Sequence, residues 1–292
     1  INDLLKNYST TLVMSLGMMS VLLIGGIDIS VGSTLAFSGM CASLFMRDGV
    51  YTSTFLMFLV STVIGTCCGA LVGLVIAKGK VQPIIATLGF SNIFRGATYI
   101  VSGGAWVSAY QFQRPFKKFA QQSTLTFGAI NNMIFIVLVC YIVFFILMKW
   151  TRFGRRIYAV GSNPEAAAVS GINIDKYKFI VYTMMGAFAG LVGAMYTALY
   201  ASAMSDMGVG MEMDAIASCV LGGVSLSGGQ GSVVGVLLGA LTMAVISKAL
   251  PLVGISEFWQ MAIKGAIILI AIIVNVVMQR TLQKNALKAR EI

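Results

Sequence analysis

Histidine is absent from this 292-residue sequence, proline occurs only 4 times, and charged residues make up 10% of the chain. Without histidine, the side chain that most often ligates metals and moves protons near neutral pH is missing. The five cysteines (Cys41, Cys67, Cys68, Cys140 and Cys219) all fall within apolar runs, where they read as small buried hydrophobes rather than ligands or disulfide partners. HExxH, GxxxxGK[ST] and GxSxG patterns are also lacking. GGQGS at 228–232 is glycine-rich but has no lysine to reach a phosphate. The chain therefore reads as a non-enzyme that binds no metal or cofactor and has no nucleotide site of its own.

What is abundant is apolar: 58% of residues are hydrophobic and the mean hydropathy is +0.90. A soluble domain carries about 25% charged residues, so this composition indicates an all-α polytopic membrane protein. The stretches between apolar runs reach only roughly thirty residues, too few for a separate packed core. We read 1–292 as one transmembrane domain. The net charge of +10 would suggest nucleic acid in a soluble protein. Here the positive charge lies in loops and in the tail (Lys284, Lys288, Arg290), the pattern of cytoplasmic membrane loops, and nucleic acid is not expected.

Spanning a bilayer takes roughly 20 apolar residues per helix, and about nine candidates meet this: 8–24, 29–46, 51–77, 81–101, 130–148, 177–201, 210–227, 232–250 and 259–278. The basic loop at 149–178 sets the orientation. With it inside, Lys78, Lys80 and the tail also lie inside, while Arg114, Lys117 and Lys118 face outward against the rule. Ile1 then falls outside. The chain opens without methionine, and a tenth, preceding span is expected in the full-length protein.

Within the basic loop a short helix carries its own signals: Asn163 to cap it, Pro164 for its first turn and Gly171 to close it in a left-handed conformation. So short a helix is unstable alone in water and needs a surface to dock on. Two glycine-rich turns, GGIDISVG (25–32) and GGVSLSGG (222–229), share one pattern and break helices at membrane depth. Such breaks are tolerated where they line a path, which makes Asp28, Ser30, Gly222, Gly223 and Ser225 candidates for a gate. Asp28 could equally cap the following helix. Arg95, with Gly89 and Gly96 nearby, suggests a broken or re-entrant segment reaching a wet cavity, or else a snorkelling side chain. Asp206, Glu212 and Asp214 form an acidic cluster at the expected outer end of a span. They either begin that helix or present charge to an external partner. Lys248 and Lys264 are expected to snorkel or to pair with Glu257. Trp106, Tyr110 and Phe112 suit an interfacial belt or stacking on the ring of a bound solute.

The string Glu165-Ala166-Ala167, three residues, then Gly171 resembles the EAA loop of ABC importer permeases. GSNPEAAAVSGI (161–172), GGIDISVG, ATLGFSNIFRG (86–96) and MEMDAIASCVLGGVSLSGGQGS (211–232) together resemble the ribose-type carbohydrate permeases, spread in order over nearly the whole chain. One departure stands out: YTMM (182–185) occupies the place of a Leu-Pro, which leaves the register after Gly171 open. The resemblance implies an importer subunit in the bacterial inner membrane that pairs with a second permease chain, the same or homologous. Two ATPase subunits would supply ATP and Mg chemistry, and a periplasmic or lipid-anchored solute-binding protein would deliver a monosaccharide, autoinducer-2 or inositol. Asn163, Pro164, Glu165, Ala166, Ala167 and Gly171 would then couple to the ATPase, and Ala167→Arg should uncouple transport in a folded protein. An ion-coupled secondary transporter is the alternative from a different class. It calls for charges buried midway through spans, which are few here.

Overall fold

A computed structural model describes residues 2–123 and 130–256, together with 259–260, 262–267, 269–270, 272–274 and 277. Expectations about Ile1, Glu257 and the tail basic residues fall outside the described residues. The described elements are α1 (Asn2–Asn7), α2 (Ser9–Leu23), α3 (Val31–Arg47), α4 (Thr54–Ala77), α5 (Pro83–Ser102), α6 (Arg114–Phe119), α7 (Asn132–Trp150), α8 (Arg152–Ser162), α9 (Pro164–Val169), α10 (Ile174–Tyr200), α11 (Met211–Leu221) and α12 (Val233–Leu252). A single antiparallel bridge, Val107 to Ala203, is the β pairing found among the described residues.

Five helices (α4, α5, α7, α10 and α12) are long and apolar enough to cross a membrane, and α2 and the described part of 262–274 are shorter apolar helices. The candidate at 210–227 departs most from expectation. Its helix is α11, 11 residues or about 16 Å, half a bilayer. Glycines set both limits. Gly208 and Gly210 take positive φ before it, and Gly223 (φ +80°) turns the chain away after Leu221. Conversely, α5 runs unbroken through Gly89 and Gly96, both facing open space, so the expected break there is absent. Helix α8 occupies part of what the sequence presents as a basic loop. Its signals were Thr151, whose hydroxyl accepts the Gly154 N–H at 3.3 Å, and the buried Ile157 and Val160 three apart on one face.

The packing centres on α2, which is buried along its whole length except at Thr11. Helix α10 lies antiparallel on α4 through facing glycines, and a Cβ added to Gly186 would stand 2.6 Å from the Gly69 Cα. One register up, the Ser61 hydroxyl donates to the Gly190 carbonyl at 2.6 Å. Small residues here let backbones approach as membrane helices require.

The two ends of the bundle are distinguishable. Lys80 pairs with Asp175 at one end, joining the α4–α5 turn to the start of α10, as charge alternation requires of two loops on one side. The Val107–Ala203 bridge and α6, with Arg114, Lys117 and Lys118, lie at the other end. There Phe119 meets Phe58 near the start of α4 with ring centroids 5.2 Å apart. Phe112 is buried beside Phe116, whereas Trp106 and Tyr110 stay exposed.

Candidate functional site

The short helix expected in the basic loop is α9. Asn163 Oδ1 accepts the Ala166 N–H at 3.0 Å, Pro164 occupies the first turn, and Gly171 takes φ +78°. The Gly171 and Ile172 N–H groups donate back to Ala168 and Ala167 carbonyls at 2.9 and 3.0 Å, closing the helix. Its side chains point away from the bundle: Glu165, Ala166 and Ala168 are exposed, and Val169 is 92% exposed. Ala167 is the exception, 4% exposed and part of the core cluster. An arginine there would clash with its own chain, so Ala167→Arg does not separate docking from folding, and the substitution expected to do so belongs at 168 or 169. After Gly171 the register is plain. Asn173 caps α10 by accepting the Lys176 N–H at 2.9 Å, and Tyr182 and Met185 face the core.

The root of α9 meets the end of α2 and the second glycine-rich turn, whose Gly228 in turn abuts Gly25 of the first. The Gly229 N–H donates to the Leu23 carbonyl at 2.9 Å, tying the end of α2 to the turn before α12. Gly161, at the end of α8, lies so close to the Leu23 carbonyl and the Gly229 nitrogen that a Cβ would have no room, and a Cβ on Gly229 would stand 2.6 Å from the Ser162 Cα. Three backbones converge where only glycine fits. Sequence reasoning paired the two turns by pattern but missed Gly161 and Ser162, because nothing local marks a glycine whose partners lie in distant parts of the chain.

Among the gate candidates, Asp28 and Ser30 pair with each other. Asp28 Oδ1 accepts the Ser30 N–H at 2.9 Å and its hydroxyl at 2.6 Å, ordering the residue that precedes α3. Both are buried. The Tyr182 hydroxyl abuts Gly26 in the same turn and is buried without a hydrogen-bond partner among the described residues. Gly222 packs against Gly235 of α12, and the buried Ser225 closes its own turn by donating its N–H to Gln230 at 2.9 Å.

Arg95 lies apart from this group. It donates to the Ser205 and Met207 carbonyls at 2.7 and 2.9 Å, clamping the segment between α10 and α11 against α5. That segment descends from the Val107–Ala203 bridge to Gly208, whose carbonyl crowds Gly32 at the start of α3. Helix α11 therefore begins beside the start of α3, below the outer ends of α5 and α10. This separates the three acidic residues: Asp206 is exposed, while Glu212 and Asp214 are half-buried, and Asp214 pairs with Lys264 at 3.5 Å. Lys248 lines a cleft with Tyr8 and Tyr200 at the outer end of α12.

The family described as branched-chain amino acid transport system / permease component matches residues 1–272. The ribose import permease protein RbsC of Escherichia coli (strain K12) is 36% identical over 280 residues, covering 94% of this chain and 84% of the relative. RbsC of Bacillus subtilis (strain 168) is 36% identical over 273 residues, 94% and 83%. The galactose/methyl galactoside import permease protein MglC of E. coli (strain K12) is 32% identical over 287 residues, 93% and 84%. No solved structure matches the chain.

Proposed function

The chain belongs to the family of branched-chain amino acid transport system permease components, and from this premise we propose that it is the membrane subunit of an ATP-driven importer of a monosaccharide. Relatives named for ribose and galactose import, matched over 93–94% of the chain, support a sugar over an amino acid. In this reading residues 1–292 form one permease domain in the bacterial inner membrane and work beside a second, identical or homologous permease chain. ATPase subunits bind ATP and Mg and dock on α9. A periplasmic or lipid-anchored binding protein delivers the sugar at the opposite end, where the exposed Asp206 offers an acidic contact.

The observation that carries the reading is α9 itself. It is a capped helix whose outward side chains are left exposed by the described residues, rooted at Gly161–Ser162 against the end of α2 and the turn before α12. A push on α9 reaches the ends of α2 and α12 through backbone contacts, with no flexible side chain between. Alternation of the two permease chains is then a rigid-body change driven from the ATPase side. Asn163, Pro164 and Gly171 fix the helix, Glu165, Ala166 and Val169 offer the docking surface, and Ala167 anchors it to the chain. The path follows the half-length α11 and the turns carrying Asp28, Ser30, Gly222, Gly223 and Ser225, while Arg95 holds the segment that leads into α11.

Uptake of labelled ribose and galactose into vesicles holding this chain, its ATPase and its binding protein tests the proposal. ATP-dependent uptake that survives collapse of the ion gradients is expected. Uptake driven by an ion gradient without ATP would make the chain a secondary transporter.

A further inference from the structure

We propose that the cleft where α7, α8 and α12 meet, at the end of the bundle that carries α9, binds the phosphate headgroup of an anionic phospholipid. The cleft measures about 630 Å³. Its walls are of two kinds. Phe145 and Met148 of α7 and Val234 of α12 form an apolar side, and Lys149 and Arg155 supply positive charge at the rim. Neither cation makes an ion pair among the described residues. The Lys149 ammonium stands 5.1 Å from the centre of the Phe145 ring, and Arg155 donates to the Trp150 carbonyl at 3.3 Å.

The floor adds a third source of positive potential. Helix α12 begins there, its Ser232 hydroxyl accepting the Gly235 N–H at 3.0 Å, which leaves the Val233 and Val234 N–H groups without an intrahelical acceptor. The Tyr158 hydroxyl donates to the Gly231 carbonyl at 2.9 Å and holds this helix start against α8. Two cations and a helix N-terminus around one cleft form an anion site in which each element is independent of the others.

Position decides which anion. Lys149 and Trp150 end a membrane helix, where cationic and aromatic side chains meet the headgroup layer. Away from that end, Ile146 of α7 and Val234 and Leu238 of α12 are exposed apolar residues continuing along the same helices. A lipid would lay its acyl chains on this wall with its phosphate between Lys149 and Arg155, whereas free phosphate would leave the wall uncovered. This inference requires only that the chain sits in a membrane, and it holds whichever solute is moved.

The test uses Trp150 as reporter in a variant carrying Trp106→Phe and Trp259→Phe, reconstituted in mixtures of brominated phosphatidylglycerol and phosphatidylcholine. Each cation near a membrane surface favours an anionic lipid roughly fivefold, so bromine on phosphatidylglycerol should quench Trp150 on the order of tenfold more effectively than on phosphatidylcholine. Lys149→Gln with Arg155→Gln should bring the two lipids to within about twofold. Lys149→Arg should keep the preference, and so should Arg114→Gln with Lys117→Gln at the opposite end. Equal quenching by both lipids overturns the proposal, and so does a preference that persists without the two cations. Loss of the preference in millimolar inorganic phosphate at constant ionic strength would identify free phosphate as the occupant and overturn it equally. Since both cations are exposed, an unchanged melting temperature is the control for folding.

Discussion

Val169→Asp should detach the coupling helix from its partner while leaving the chain folded. Val169 is 92% exposed at the tip of α9, so on the chain itself the substitution falls among surface changes worth within about 0.5 kcal/mol. In a docked complex the same side chain would be covered, and burying a valine is worth roughly 1.5–3 kcal/mol. Aspartate forfeits that contribution and brings an unpaired charge into the contact. Affinity for the ATPase should fall by about tenfold to a hundredfold, since each 1.4 kcal/mol is a factor of ten. Binding of purified ATPase to the reconstituted variant, measured beside its thermal unfolding, gives both quantities. Ala167→Arg should behave oppositely, lowering the melting temperature because Ala167 is packed inside. Unchanged affinity and uptake in Val169→Asp would refute the placement of the docking surface on α9.

Three further outcomes follow from the packing. Arg95→Ala removes two charge-assisted hydrogen bonds, worth at least about 2 kcal/mol together, so amide exchange over 205–207 should quicken on the order of thirtyfold while the inner loop is unchanged. Gly186→Ala should destabilise by about 1–3 kcal/mol through contact with α4, whereas Gly89→Ala, facing open space in α5, should be neutral or stabilising by about 0.5–1 kcal/mol. Both are read from detergent melting curves. Asn163→Ala should cost α9 about 1 kcal/mol of helix stability, and Asn163→Asp should restore it, seen as exchange at the Ala166 amide.

Features governed by neighbouring residues were legible in the sequence. The cap, first turn and left-handed close of α9 depend on residues within three or four positions of each other, and all appear as their chemistry dictates. Long apolar runs likewise announced α4, α5, α7, α10 and α12. What escaped depended on distant partners. Arg95 reads as a charge looking for water until its acceptors, over a hundred residues later, are brought beside it. Glu212 and Asp214 begin a helix, as one of their two readings has it, but hydropathy does not reveal that glycines at 208 and 210 carry the chain inward before α11 starts. Ala167 reads as a docking alanine beside Ala166, since the string does not say which face of so short a helix is turned toward the core. The amphipathic α8 is masked in the sequence by its arginines, which give 149–178 the look of a basic loop although Ile157 and Val160 form a buried face.

The most direct measurement places a photo-crosslinking residue at position 169 in the chain, assembled with its ATPase in native membranes. The account predicts a covalent adduct with the ATPase subunit, and none from the same probe at the exposed Tyr110 on the opposite end. An ATPase adduct from position 110 and not from 169 would contradict it.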